Sequence, residues 1–191
     1  MSDSPVRRRH IGRAQAQRVD EAFLAAPRYA PSRVTAAAYA QLGEQSTGWY
    51  ALLTSGCTRR PIRVVLTHQR EPYERDVDRR HPVLDTTPGG AYDRLRAVHD
   101  IVSHGWIGHA FDADGEYSAW LTEDRMYSGL ARWALATDLH GEHSVAWTTK
   151  DIADHKAVLL APGLIRASRH PDGDGRAAAT AGSEVAPCAS S

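Results

Sequence analysis

The spacing of hydrophobic residues predicts a chain made mainly of helices. The segments "VDEAFLAAP" and "RVTAAAYAQLGEQSTGWYALLT" have helical character, and Gly43 is a candidate break or end within the second. In "YDRLRAVHDIVSH", hydrophobic side chains return every three to four residues, which is typical of a helix with one buried face. The stretch 116–141 is helical again, and Ser128 followed by Gly129 indicates a boundary between two helices.

One segment has the character of a strand instead. "IRVVLTH" (62–68) is apolar, rich in β-branched residues and preceded by a proline. The whole pattern therefore predicts an α+β fold that is mostly helical, with a small sheet and a metal site between helices.

Composition predicts one domain with two weakly structured ends. The chain has 191 residues, which suits a single domain. Residues 1–20 are predicted to be a basic, flexible arm, and its arginines Arg7, Arg8 and Arg9 are the one candidate contact for nucleic acid. Residues 169–191, rich in Ala, Gly and Ser, are predicted to be a disordered tail. The globular domain is expected at 21–168, with its metal-site region at 92–143.

Charge and cysteine content narrow the class of protein. The formal net charge is zero, so no global field favours nucleic acid or a membrane surface as partner. The two cysteines, Cys57 and Cys188, form no disulfide framework and no thiolate cluster. With no apolar run of membrane-spanning length, we expect a cytoplasmic protein that acts on a small molecule. The oligomeric state is not predicted.

The segment "AVHDIVSHGWIGH" (97–109) contains the candidate metal ligands. Imidazole is a common metal ligand, and His99 and His104 are five residues apart. On an ideal helix this spacing turns the two side chains apart by roughly 140°. A helix that ends or distorts near Gly105 would bring them together. Asp100 and His104 share a face without distortion.

The stretch that follows offers carboxylates. If 116–141 formed one continuous helix, Glu116, Glu123, Tyr127 and Asp138 would share one stripe. Acids that face a helix carrying two histidines are typical of iron and di-metal carboxylate sites in helical proteins. The alternative is that the acids are solvated and the histidines are ordinary core or capping residues.

Two segments resemble the aromatic amino acid hydroxylases. "HDIVSH" is similar to the H-[ED]-x-x-x-H segment with which that family binds non-haem iron, and "RWALATDLHG" is similar in shape to the segment with its third ligand. The resemblance implies an iron(II) centre of His99, His104 and Asp138. It covers residues 92–142. Aspartate replaces the family's glutamate, the chain is shorter than that catalytic domain, and no pterin-binding segment is recognised, so the resemblance does not extend to pterin.

Two further resemblances concern the same segment. One implies a different carboxylate ligand, and the other implies a site without a known reaction. A family of ubiquinone-biosynthesis proteins has HD-x-x-H and, after eleven intervening residues, a glutamate. Here the histidine gap is one residue longer, and eleven residues separate His104 from Glu116. This resemblance implies a metal site of His99, Asp100, His104 and Glu116. The same region is also similar to an uncharacterised domain of phages and mobile elements, in which the HD-x-x-x-H and G-E segments recur together. That likeness implies a joint site without a known reaction.

These patterns predict a metal-dependent enzyme, with a mononuclear non-haem iron oxygenase or hydroxylase as the leading hypothesis. One alternative is a zinc-dependent hydrolase or lyase with Glu116 as base. Another is a non-catalytic protein of a mobile element with a structural histidine–acid cluster. Glu116 and Asp100 are the candidate catalytic residues. The residues predicted to support the site or to replace a ligand are Glu142, His109, Glu123 and Tyr127.

Overall fold

A computed structural model of the protein describes residues 9–55, 80–150 and 153–170. The predicted strand at 62–68, the arginines Arg7 and Arg8, and the predicted tail from residue 171 onward lie outside these ranges.

The described residues are mostly helical. The elements, in chain order, are α1 (Arg13–Ala25), α2 (Arg33–Thr54), α3 (Ala91–His99), a π-helical segment (Asp100–Trp106), α4 (Ala113–Glu123), α5 (Ala131–Leu135), a second π-helical segment (Ala136–Gly141), α6 (Glu142–Thr149) and α7 (Pro162–Arg169). No strand is found in the described ranges, where β pairing is limited to an isolated parallel bridge between Tyr29 and Ala157. The mostly helical prediction is therefore confirmed, and a small sheet is not shown. No helix within the described ranges has the length and apolar character needed to cross a membrane.

The predicted flexible arm is too long at its C-terminal end. Helix α1 begins at Arg13, so residues 13–20 belong to the folded domain. Val19 and Phe23, four residues apart, are completely buried on one face of α1. The prediction for 13–20 was wrong because these two residues bury a helix face that the basic residues around them concealed.

The helices pack around one main hydrophobic core. Helix α2 lies against α3 and α5, while α1 lies against α6. Gly43 does not break α2; a Cβ there would lie 3.3 Å from the Cβ of Ala91, so its small size allows α2 and α3 to approach closely. The largest fully buried side chains include Trp120, Tyr39, Phe23 and Leu42. The expected division of 116–141 into two helices is also observed, with Gly129 in the left-handed region at φ 58°.

Near Gly105 the helix is distorted and does not end, and at Gly141 the chain is helical as well. Gly105 is within the first π-helical segment, and Gly141 has right-handed helical angles (φ −63°, ψ −55°) at the junction with α6. A Cβ on Gly141 would come within 2.5 Å of the Phe23 ring. The glycine therefore serves close packing of α1 on this helix, and the chain continues as helix to Thr149.

We expect Gly141→Ala to destabilise the protein by about 1–3 kcal/mol, since the added methyl must displace the buried Phe23 ring. Gly48→Ala, at an exposed position of α2 with nothing near the added Cβ, is the control. Its free energy of unfolding should rise by about 0.5–1 kcal/mol, because alanine favours the helix. Urea unfolding followed by circular dichroism measures both. Equal stabilisation by the two substitutions would contradict the close contact.

Candidate metal centre

The first π-helical segment brings His99 and His104 together. A π-helix bonds residues five apart, so side chains at this spacing lie nearly above one another. The backbone N–H of Ile107 accordingly donates to the carbonyl of Val102 at 3.0 Å. The Nε2 atoms of His99 and His104 lie 3.0 Å apart. The sequence-based objection to this pair, that an α-helix would turn the side chains apart, is thus removed by the local backbone.

Hydrogen bonds determine which nitrogen of each ring carries the proton. Nδ1 of His99 lies 2.7 Å from Oε1 of Glu123, and Nδ1 of His104 lies 2.8 Å from the carbonyl oxygen of His109. Both oxygens only accept, so Nδ1–H donates in each case. In the neutral rings the Nε2 lone pairs then face each other across 3.0 Å. Two acceptors at this distance need a proton or a metal ion between them.

Glu116 and His143 complete the cluster. Oε2 of Glu116 lies 3.3 Å from Nε2 of His99 and 3.1 Å from Nδ1 of His143, while Oε1 lies 3.6 Å from Nε2 of His104. Oε2 of Glu116 and Nδ1 of His143 are buried and make no hydrogen bond among the described residues. His99, Glu116 and His143 each offer a ligand atom, all within 4.8 Å of one another, so this group could hold a metal ion.

The spacing of these atoms suits a first coordination shell. Two ligand atoms bound at about 2.1 Å and at right angles are about 3.0 Å apart, and at a tetrahedral angle about 3.4 Å apart. The contacts of 3.0, 3.1 and 3.3 Å lie in this range. A small inward displacement would place one ion in contact with all three groups.

Charge in the cluster favours a cation. Burial lowers the pKa of His99, but the charge of Glu123 and the contact with Glu116 outweigh it and raise the pKa to about 9. Burial raises the pKa of Glu116, whereas the contact with His99 and the charges of His143, His99 and His104 bring it down to about 2. In the absence of a metal, a proton therefore occupies the position between the two histidines.

Glu123 supports the cluster through hydrogen bonds to His99 and Ser103. Its side chain is completely buried at the end of α4, and its Oε1 accepts both the Nδ1–H of His99 and the hydroxyl of Ser103, the latter at 2.6 Å. A carboxylate behind a ligand histidine fixes the ring orientation and raises its basicity. The sequence predicted Glu123 as either a supporting residue or an alternative ligand.

Asp138, predicted as the third ligand, lies in a second buried cluster. Its Oδ1 accepts the hydroxyl of Tyr39 at 3.1 Å and lies 3.5 Å from Nε2 of His81. Nδ1 of His81 accepts the backbone N–H groups of Val83 and Leu84, so its Nε2 carries a proton. This cluster directs N–H and O–H donors at Asp138 and does not present converging lone pairs. Among the described residues, the two groups that could hold a metal ion do not include Asp138.

Glu142 also belongs to the second cluster. Nδ1–H of His155 donates to its Oε1 at 2.8 Å, and Nε2 of His155 lies 3.2 Å from the hydroxyl of Tyr92. Burial lowers the pKa of His155, but the charge of Glu142 outweighs it and the pKa is raised. The charges of Glu142 and Glu116 both act to raise the pKa of Arg96.

The other predicted residues lie around the first cluster. Asp100 is exposed, although one of its oxygens lies within 4.8 Å of ligand atoms of His99 and His104. His109 anchors His104 through its carbonyl, and its ring Nε2 contacts the hydroxyl of Thr122 at 3.0 Å. Tyr127 is buried with its hydroxyl 3.1 Å from that of Ser46.

His143 was not among the ligands predicted for this centre; with His140 and Glu142 in "LHGEH" it indicated either a separate metal patch or general base, or polar residues at the end of a helix. A helix that stops at Gly141 would leave this residue in a turn, but α6 continues and directs the ring at Glu116. The available signal was the pair of histidines around "LHGEH", one of which the fold places in the cluster.

Comparison of the chain with protein-family models, curated proteins and solved structures finds no match.

Proposed function

We propose that the protein is a metal-dependent enzyme with a mononuclear centre of His99, Glu116 and His143, and that the metal is iron(II). The proposal is carried by one observation. The lone pairs of His99 and His104 converge beside the buried carboxylate of Glu116, and Oε2 of Glu116 and Nδ1 of His143 have no hydrogen-bond partner among the described residues. Two histidines and one carboxylate on one face of an ion are typical of non-haem iron oxygenases. His104, beside His99, adds a further nitrogen donor.

The proposed reaction is hydroxylation of a small molecule. Iron(II) held by these residues would supply activation of dioxygen: one oxygen atom would enter a C–H bond of the substrate, and the other would leave as water at the cost of two electrons and two protons from an organic reductant. The chain's part is to hold the ion with neutral imidazoles. Glu123 keeps His99 oriented during this chemistry.

A second candidate is a zinc-dependent hydrolase or lyase. Its support is that three imidazoles, those of His99, His104 and His143, all lie within 3.6 Å of the Glu116 carboxylate. If the three histidines bind zinc, Glu116 is left as the base that takes a proton from a metal-bound water.

The test is elemental analysis of untagged full-length protein purified without oxygen, followed by oxygen-uptake measurements with added reductant. We expect about one iron per chain, lost in His143→Gln and retained in His155→Gln, a matched change in the second cluster. Zinc without oxygen uptake would overturn iron in favour of the second candidate. Wild-type protein that binds neither metal would overturn both and leave a protonated structural cluster.

A further inference from the structure

A pocket between α1, α4 and α6 reaches the proposed metal centre. Its cavity volume is about 40 Å³, and Glu116 and His143 form part of its lining. The rest of the wall is mainly apolar and includes Ile11 and Ala16 at α1, Leu139, and Trp147 on α6. Substrate sites are commonly concave, largely apolar and equipped with a few polar groups at one end, as this pocket is.

Access to the cluster is one-sided. The exposed fraction of the side chains is 20% for His143 and 10% for Glu116, but only 5% for His104 and 1% for His99. The ring of Phe111 stacks on the ring of His104, with the ring centres 3.8 Å apart. A small molecule therefore approaches the proposed ion from the side of His143 and Glu116, where the pocket lies.

The pocket wall offers no charge to a ligand apart from Glu116. His140 is part of the wall, stacks on Trp120 at 4.2 Å, and burial lowers its pKa to about 3. The carboxylate of Glu116 is committed to the metal when one is bound. The bound ion offers a positive charge at one end of the pocket, but a charged group that lies along the apolar wall, away from the ion, would lack a partner, which is unfavourable.

We propose that this pocket is the substrate site of the metal centre, and that it takes a small uncharged and largely apolar group, such as a short alkyl chain or a single aromatic ring. This inference rests on the proposed metal centre. It assigns selection of the substrate to α1 and α6, because Ala16 and Trp147 set the width of the pocket.

Cobalt(II) absorption spectroscopy of the full-length protein tests the proposal, with pyridine and azide as probes. Pyridine is a neutral ring with one metal-binding nitrogen, whereas azide is an anion. We expect both probes to change the cobalt spectrum, because azide needs only the ion whereas pyridine also lies along the pocket wall. Ala16→Leu should weaken pyridine binding by about tenfold or more because the larger side chain occupies the pocket. Cobalt affinity itself should remain unchanged.

Ala14→Leu is the matched control, since this alanine is exposed on the same helix and should leave pyridine binding unchanged. Trp147→Ala widens the pocket and should improve binding of the bulkier 4-phenylpyridine. The proposal is overturned if Ala16→Leu and Trp147→Ala bind cobalt and both probes as the wild type does, or if Ala16→Leu weakens azide binding as much as pyridine binding. Failure of the wild type to bind cobalt would instead overturn the metal centre on which the pocket's role depends.

Discussion

Glu116→Gln is expected to weaken metal binding by about 100-fold or more. Binding energies of about 10–16 kcal/mol shared among four ligands correspond to roughly 3 kcal/mol each, or two decades in affinity. Glutamine keeps the size of the side chain but removes the charge that lies between His99 and His143. Competition against a chelator of known affinity, with wild type and variant side by side, measures the change.

Asp138→Asn is the matched control for Glu116→Gln. The carboxylate it replaces is also buried, but it bonds to Tyr39 and faces the N–H of His81. Its metal affinity should stay within about threefold of wild type, which is less than 1 kcal/mol. A large loss in Asp138→Asn with a normal Glu116→Gln would show that the ligand set implied by the aromatic amino acid hydroxylases is right and that ours is not.

Glu123→Gln is expected to lower metal affinity by about 10–100-fold although this residue does not touch the ion. The amide can still accept the Nδ1–H of His99, but it lacks the charge that makes the ring a strong ligand. The hydroxyl of Ser103, which donates to the same oxygen, loses a charged acceptor as well. Isothermal titration with cobalt(II) or zinc(II), together with the thermal midpoint of the metal-free protein, measures affinity and stability separately.

Asp124→Asn controls for a purely structural effect. Asp124 follows Glu123 directly and is also buried, but it pairs with Arg132 and Arg169 on the other side of the chain. We expect it to lower the thermal midpoint without changing metal affinity, because breaking a buried pair leaves an uncompensated charge far from the ion. If both variants lost affinity in proportion to their stability, Glu123 would have no specific role in the site.

The acids show where helix periodicity stops being informative. Treating 116–141 as one helix places Glu116, Glu123 and Asp138 on one stripe. The chain instead leaves helix geometry between α4 and α5 and adds a π-helical turn at Ala136–Gly141, which changes the direction of everything that follows. Glu116 and Glu123 keep their common face, seven residues apart on α4, while Asp138 turns to Tyr39.

The sequence alone determined the helical character of the described chain, the boundary near Gly129, and the two histidines with Glu116 as a candidate group. These depend on local spacing and on residue chemistry, which the sequence contains directly. Three features depended on the tertiary structure: the π-helical register that brings His99 to His104, the contact of His143 with Glu116, and the position of Asp138 in another cluster. A shift of one residue per turn, set by packing between distant helices, rotates a side chain by about 100°, and no periodicity within one segment records it.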